Sequence, residues 1–328
     1  MRMMDKKKIN HTEKGETVKR SILTNMIIIP FIPFVLAIGV SYYFFTTAIE
    51  YNTTNSLRRI VGDHRDMIES FLMERKSDLE LITNTFGFEK INQKNSIDTI
   101  FGNLKNRSGA FIDLGLFDSK GVLVRYSGKY QLKGKKYKDE LWFKQVMLNG
   151  TYISDIFLGY RNVPHFVIAV KQGSGDKTWA LRATIDTLFF DRLVSKVRIG
   201  RTGESYILNK KGISQTKRRS GGFRVMDQDS EYSDFPSLGD GIQTFIKSNP
   251  LKYTYLYATA WLKNGDWLLV VRQEKQDAYK SLYSAIYISL IIMIIGGAVI
   301  VIMAIYITER IAKKIEHLGQ EKKSLGHQ

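Results

Sequence analysis

The sequence has no cysteine, and it contains five histidines, four tryptophans and five prolines in 328 residues. The absence of cysteine excludes disulfide bonds, thiolate metal sites and cysteine nucleophiles. The histidines are scattered, and no two of them have metal-site spacing on one element. A Gly-rich phosphate loop, a Gly-x-Ser-x-Gly elbow and a His-Glu-x-x-His motif are also missing from the sequence. We therefore predict no catalytic residue, no metal site and no cofactor.

Two long apolar stretches, residues 21–49 and 281–308, carry no charged residue. A bilayer core is about 30 Å thick and requires about 20 apolar residues in a helix. Each stretch therefore predicts a transmembrane helix, and residues 50–280 would lie together on one side of the membrane. A cleaved signal peptide is the alternative for the first stretch, although the apolar part of a signal peptide is only about 7–15 residues long. Pro30 and Pro33 within that stretch are compatible with a membrane helix.

Basic residues flank both stretches and predict the orientation. Residues 1–20 contain seven Lys and Arg, and residues 309–328 contain five. Short basic segments stay in the cytoplasm, so both tails are predicted to be cytoplasmic and the body extracytoplasmic. The expected location is the bacterial inner membrane, crossed twice. The net charge of +17 is spread over the body and the tails, and we predict no binding to nucleic acid.

The body begins with a helical pattern and continues with a strand pattern. Apolar residues recur every three or four positions over residues 50–86, which predicts a long stalk helix, and a shorter helix is expected at residues 97–105. Alternating apolar residues and turn signals then predict a five-stranded meander. Its strands are expected at residues 111–117, 122–127, 151–157, 166–171 and 179–185, with a helix at 138–148 after the second strand.

A second, smaller module follows with a partly similar pattern. Its predicted elements are a helix at 188–197, a hairpin at 205–209 and 212–216, a helix at 240–247, and a hairpin at 252–261 and 266–272. Residues 273–279 contain no Pro or Gly, so a continuous helix into the second span is expected. The predicted fold class is α+β, with a membrane-distal module at 87–187 and a membrane-proximal module at 188–279.

The C-terminal tail carries an apolar stripe on a charged helix. Ile311, Leu318 and Leu325 are separated by seven residues, which favours the start of a parallel, dimeric coiled coil. A helix lying on the inner membrane surface is the alternative. His317 in this tail lacks the surroundings of a phosphoacceptor histidine and is interpreted as a surface residue.

Four segments of the body carry a family resemblance. They are Gly109–Gly115, Tyr137–Phe143, Tyr152–Arg161 and Arg201–Asn209. With the two spans and the stalk helix, these segments resemble the double Cache sensor domain of bacterial receptors. The match is closest to membrane-bound sensor histidine kinases, here truncated before the kinase core, and it extends over about residues 22–328. The resemblance implies two tandem PAS-like modules with antiparallel sheets.

The resemblance also implies a ligand site in the membrane-distal module. Trp142 matches the tryptophan of the family motif, and Phe143 stands where many members have tyrosine. Asp186 matches an aspartate that holds the ligand amine in members that bind amino acids. Glu140, however, occupies the position of an arginine that grips the ligand carboxylate in those members. Two carboxylates cannot pair, so amino-acid binding by that route is not expected.

The residues themselves indicate the same region for a small polar or anionic ligand in a partly apolar pocket. The candidate ligand-binding residues are Trp142, Phe143, Tyr152, Arg161, His165, Arg182 and Asp186. Each has a structural alternative. The two adjacent aromatic residues could belong to the core, and the tyrosine and the arginines could be surface or salt-bridged residues. His165 could be structural, and Asp186 could cap the following helix.

These observations predict a membrane-anchored extracytoplasmic ligand sensor that resembles the input half of a two-component histidine kinase. The expected partners are a small-molecule ligand, a second copy of the chain and a separate cytoplasmic output protein. The chain itself is not expected to be an enzyme, and kinase activity would require residues beyond 328 or a partner. The alternatives are the sensor part of a chemoreceptor or of a cyclic-dinucleotide signalling protein, a ligand-free scaffold, and an anchored hydrolase.

Overall fold

The computed structural model describes residues 2–196, 199–222, 224–237, 239, 241–249 and 253–325, and within these ranges it describes the side chains of residue 17 and of residues 20–314. The chain forms two compact units. One contains both ends, residues 1–52 and 279–328, and the other contains residues 53–278.

The unit of the two ends is helical. Helix α1 (Arg2–Thr85) and helix α7 (Lys280–Leu325) are each long and apolar enough to cross a membrane. The two helices pack side by side at Gly296, where an added Cβ would lie 3.3 Å from the Phe34 ring. Small residues at such a contact let helices approach closely in a bilayer. The two predicted spans are thus present as two paired apolar helices.

The second unit contains two antiparallel sheets. The first sheet is accompanied by helices α2 (Phe88–Ile91), α3 (Ser96–Arg107), α4 (Leu141–Asn149) and α5 (Thr187–Val194). Its strands are β1 (Phe111–Phe117), β2 (Leu123–Ser127), β3 (Thr151–Ile153), β4 (Phe166–Gln172) and β5 (Trp179–Ile185).

The order of strands in this sheet is β2-β1-β5-β4-β3. The predicted meander is therefore wrong, although the five predicted strands are found. After the β1–β2 hairpin, helix α4 carries the chain across the sheet to its far edge, and β5 returns to pair with β1. This arrangement places β1 and β5 next to each other in the middle, where both are buried.

The part of α1 within this unit packs against the body through one apolar face. Its buried residues Leu57, Val61, Ile68 and Leu72 recur at intervals of four or seven, as expected for an amphipathic helix. On the same part of α1, the ring of Phe71 stacks on the ring of Phe189 of α5, with the ring centres 5.8 Å apart. The predicted stalk helix is confirmed as a packed element of the body.

The second sheet has four strands in the order β6-β9-β8-β7. They are β6 (Glu204–Asn209), β7 (Gln243–Ser248), β8 (Thr254–Leu262) and β9 (Trp267–Glu274). The β8–β9 hairpin is confirmed, and its turn uses positive φ angles at Lys263, Asn264 and Gly265. Only isolated bridges join residues 213–214 to their neighbours, so the predicted first hairpin is not a full pair of strands.

The helix predicted at residues 240–247 is wrong, because most of this segment is strand β7. The Phe245 ring stacks on Tyr257 of β8 with the ring centres 5.1 Å apart. An aromatic residue that pairs across strands stabilises a sheet edge. The continuous helix expected before the second span is also interrupted. Helix α6 (Lys275–Ala278) ends at a turn at Tyr279, and α7 begins at Lys280.

Candidate functional site: a buried charged cluster on the first sheet

Strand pairing collects polar residues on one face of the first sheet. Asp113 of β1 lies opposite Thr184 of β5, and Gly115 lies opposite Arg182. Residues that pair across strands point to the same face, so these side chains share one face. Asp113, Arg182 and Thr184 are all buried, and the Leu123 and Phe117 side chains fill the place of a side chain at Gly115. The middle of the sheet therefore carries a polar group where an apolar core is usual.

The Asp113 carboxylate is the centre of this group. It forms an ion pair with Nη2 of Arg161, and its Oδ1 lies 3.9 Å from Nη2 of Arg182. The Tyr126 hydroxyl donates to Oδ2 at 3.0 Å. Burial, and next the Asp113 charge, raises the pKa of Tyr126, so the tyrosine stays a donor. Two buried arginines share one carboxylate, which leaves the cluster with a net positive charge.

Aromatic rings enclose the Arg182 guanidinium. Its central carbon lies 5.0 Å from the ring centre of Phe117, 5.1 Å from that of Tyr137 and 5.0 Å from that of Trp142. A guanidinium over an aromatic face is stabilised by the ring quadrupole. Burial lowers the pKa of Arg182 while the Asp113 charge opposes this change. The helix that supplies Trp142 is α4, which covers this face of the sheet.

Several buried polar groups of the cluster have no hydrogen-bond partner among the described residues. They include Nε and Nη2 of Arg182, Nε and Nη1 of Arg161, Nε1 of Trp142, Oγ1 of Thr184, the Tyr137 hydroxyl and Oδ1 of Asp113. Buried donors in proteins are nearly always hydrogen-bonded, and a buried charged donor without a partner is costly. These groups converge from a strand, a helix and a loop. The arrangement can bind the acceptor atoms of a small polar molecule.

The loop between β3 and β4 supplies Arg161 and His165. The loop is closed by a pair of backbone hydrogen bonds between Phe157 and His165, at 2.9 and 3.0 Å. Nδ1 of His165 lies 2.8 Å from the Val163 carbonyl oxygen. Burial lowers the pKa of His165 to about 4, so its ring is neutral at pH 7 and adds no charge to the cluster.

The structure brings most of the predicted site residues together. Trp142, Phe143, Arg161, His165 and Arg182 surround the cluster, where both aromatic residues also belong to the buried core. Tyr152, on β3, is half-buried and packs against the same core.

Asp186 has a different environment. It is the N-cap of α5, and its Oδ1 accepts from the backbone N–H of Leu188 at 2.8 Å. The structural alternative for Asp186 thus describes its contacts, and a ligand contact for any of the seven residues stays a prediction. Within the described residues, no group of three His, Cys, Asp or Glu side chains is placed to hold a metal ion.

Sequence reasoning missed Asp113 and Thr184. A usable signal was present, because Asp113 is the one charged residue in the strand Phe111–Phe117, and Arg182 and Thr184 are polar at alternate positions of β5. Polar residues two positions apart share a face. Their proximity to Arg161 depends on the path of the β3–β4 loop, which no periodicity encodes.

Small-molecule sites are typically lined by aromatic residues with a few polar groups, and the cluster beneath α4 has this composition. The model of the Cache domain family matches residues 45–282, which is more than half of the chain, and the chain belongs to that family. The predicted resemblance, the α+β class and the extracytoplasmic ligand sensor are thereby confirmed. No curated protein sequence matches the chain.

Solved ligand-binding domains have a similar fold. The domain of the Campylobacter jejuni chemoreceptor Tlp3, in complex with 4-methylisoleucine, has a TM-score of 0.53 and 12% identity, covering 72% of this chain and 96% of that chain. The domain of the Pseudomonas aeruginosa chemoreceptor PctB with L-Arg gives 0.54 and 14%, covering 69% and 97%. The extracellular domain of the putative histidine kinase soHK1S-Z6 gives 0.54 and 15%, covering 72% and 99%. Identities this low describe a common fold.

Proposed function

We propose that the chain is the two-pass input part of a membrane receptor, and that its first module binds a small molecule carrying a carboxylate. The observation that carries this proposal is the pair of buried arginines, Arg161 and Arg182, which share the single carboxylate of Asp113. A guanidinium has a planar set of donors that matches a carboxylate. A ligand carboxylate would neutralise the excess positive charge and accept from the unpaired N–H groups.

The source of the cations differs from that expected by the family resemblance. Glu140 replaces the arginine of amino-acid-binding members, but Arg161 and Arg182 supply cations from a loop and a strand instead. Asp113 would in turn accept from an ammonium group. A simple carboxylate would neutralise the excess charge, whereas an amino acid would pair each of its two charges with an opposite one and leave the net charge unchanged. The amino acids bound to the similar domains of Tlp3 and PctB support the second class.

The remaining assignments complete this proposal. We place the ligand in a membrane-distal module at residues 87–187, followed by a membrane-proximal module at 188–279, and both tails in the cytoplasm. We further propose a homodimer that signals to a cytoplasmic output, as in the two-component kinases. The similar fold of putative histidine kinase domains supports this output. Catalysis is assigned to that output rather than to the sensor.

The experiment is a ligand screen on the full chain in lipid nanodiscs by thermal unfolding. Acetate, succinate, L-alanine and L-arginine are compared with the neutral succinamide. A bound ligand should stabilise the body by about 2.7 kcal/mol at a hundredfold excess over Kd. Arg182→Met should weaken binding about 100-fold, because hydrogen bonds to charged groups contribute about 1.5–3 kcal/mol.

Arg125→Met is the matched control. Arg125 lies on the same sheet but donates to the Asn92 carbonyl oxygen at 2.8 Å, away from the cluster. This variant should bind as the native chain does. Asp113→Asn separates the two ligand classes, because it should weaken amino acids more than simple carboxylates. The proposal fails if none of the four carboxylates stabilises the chain, or if Arg182→Met binds them normally.

A further inference from the structure

The segment that follows β3 touches both sheets. The Asp155 carboxylate accepts from the indole N–H of Trp267 at 2.7 Å and from Nδ2 of Asn209 at 2.9 Å. The backbone N–H of Ile156 donates to Oε1 of Gln215 at 2.8 Å. All three partners belong to the second sheet or to the chain that follows β6. A segment of the first module is therefore fixed to the second by three hydrogen bonds from two adjacent residues.

The same segment leads directly to the charged cluster. Ser154 is tied to β4, since its Oγ accepts from the Val167 N–H at 3.0 Å. Two residues beyond Asp155, Phe157 closes the loop with His165, and this loop carries Arg161. The loop that carries Arg161 is therefore closed by hydrogen bonds within two residues of Asp155.

Trp267, whose indole N–H donates to Asp155, belongs to an interior strand of the second sheet. It is fully buried and is the first residue of β9. Its ring lies 5.7 Å from the ring of Phe166 on β4, and equally far from that of Phe190 on α5. The first module thus holds the beginning of β9 by an indole hydrogen bond and by the aromatic contact of Phe166.

The other end of β9 leads to the membrane-flanking chain. Strand β9 ends at Glu274, and α6 follows without a gap. Asp277 of α6 accepts from the backbone N–H groups of Arg201 at 2.7 Å and Thr202 at 3.0 Å. Burial would raise the pKa of Asp277, but these hydrogen bonds lower it to about 2. Hydrogen bonds thus hold the chain at the beginning of β9 and in the helix directly after it, and β9 pairs with β6 and β8 in between.

We propose that Asp155 is a positioning residue that transmits the state of the ligand cluster to β9 through the indole N–H of Trp267. This inference rests on the proposed function for its biological meaning. A ligand that moves Arg161 would shift Asp155, and the shift would pass along β9 to α6. A ligand biases such an equilibrium through its different affinity for the two positions of the loop.

A merely structural role for Asp155 makes a different prediction. Nζ of Lys263 lies 3.5 Å from the Asp155 carboxylate and donates to the Ile153 carbonyl oxygen at 2.9 Å. If Asp155 served only to neutralise Lys263, its replacement would lower stability and leave communication between the modules unchanged. The two roles are distinguished by whether a change in the charged cluster still alters β9 after Asp155 is replaced.

The test measures coupling without a ligand, using hydrogen exchange on the full chain in nanodiscs. Arg161→Gln perturbs the cluster, and amide exchange is followed in β9 and α6. In the native background we expect exchange of β9 amides to change about fivefold, within the usual range of coupling between sites. In the Asp155→Asn and Trp267→Phe backgrounds this change should fall to less than half. Trp267→Phe retains the ring and removes only the N–H donor.

Asp266→Asn is the matched control, because Asp266 lies in the β8–β9 hairpin, pairs mainly with Lys210 at 2.8 Å, and reaches the Asp155 contacts only through Lys263, at 4.0 Å. The full response should persist in that background. If Arg161→Gln reduces the fraction of folded protein, Arg161→Lys is used in its place. An equal response in all backgrounds, or no response to either Arg161 variant, overturns the proposal. Since no ligand is used, failure of the carboxylate screen would leave this result intact, and the reverse also holds.

Discussion

The guanidinium carbon of Arg182 lies 5.0 Å from the ring centre of Trp142, and both side chains are buried. The tryptophan is therefore a wall of the charged cluster and a member of the core at the same time. Loss of ligand binding in Trp142→Ala would have two explanations, since the variant removes both functions. Experiments at this position must separate stability from affinity.

Trp142→Ala should lower the free energy of unfolding by about 3–5 kcal/mol, because truncation of a buried aromatic residue leaves a cavity. Trp142→Phe keeps an aromatic face for Arg182 and should cost about half as much. Urea unfolding of the two variants measures both values. Equal stability of the alanine variant and the native chain would contradict a core position for this residue.

Asp186→Ala should lower stability by about 1 kcal/mol through loss of the N-cap of α5. Asp186→Asn should retain most of that stability, because an asparagine oxygen also accepts from the N–H groups of Leu188 and Phe189. We expect ligand affinity to change little in either variant. A large loss of affinity in Asp186→Asn, with stability preserved, would instead support the ligand contact implied by the family resemblance.

Stability should fall as the pH falls from about 6.5 to about 4, in part because of His165. Burial lowers its pKa from 6.5 to about 4 in the folded chain. Within this window the unfolded chain binds a proton that the folded chain does not, so unfolding is favoured as the pH decreases. In His165→Gln the dependence should be less steep, by up to about one proton. Urea unfolding at several pH values checks this, and identical slopes would rule it out.

Both apolar helices should remain uncleaved, with both ends of the chain in the cytoplasm. The basic residues beside each helix favour this orientation. Reporter fusions at residues 15 and 325 should both give a cytoplasmic signal, and a fusion within the body, at residue 176, should give an external one. An external signal from either tail fusion would overturn the topology.

The C-terminal tail should pair with that of a second copy. Helix α7 extends to Leu325, whereas the side chains of Leu318 and Leu325 lie outside the described residues. The chain has no cysteine, so Ile311→Cys, Leu318→Cys and Leu325→Cys can be crosslinked without interference. Crosslinking there should exceed that of the controls Lys313→Cys, Glu316→Cys and Gln320→Cys. Equal crosslinking at all six positions would favour the membrane-surface helix.

The sequence predicted the elements that have a strong local pattern. Uncharged apolar stretches, alternation in β1 and β5, and the turn of the β8–β9 hairpin each reflect neighbours within a few residues. The segment around Gln243–Ser248 was mistaken for a helix, because its strand character depends on pairing with β8. The pairing of β1 with β5 likewise depends on contacts between residues that are far apart in the sequence.

The candidate site was predictable in part. Trp142, Arg161 and Arg182 were identified by residue type and by family resemblance, and they do meet. Asp113 was missed, because a single acidic residue in a strand does not indicate a site until the residues that it contacts are known. Asp186 was given a ligand role by resemblance, although the capping pattern before α5 was visible in the sequence.

The order of strands in the first sheet has a consequence for the maturation of the receptor. Asp113 and Arg182 come from neighbouring central strands, but the chain between them contains α4, β3 and β4. Contacts between residues so distant in sequence form late and slowly. A chain that emerges with its N-terminus first therefore has no complete charged cluster until β5 has inserted beside β1. If the cluster binds the ligand as proposed, the ligand stabilises only those receptors whose first module is fully assembled.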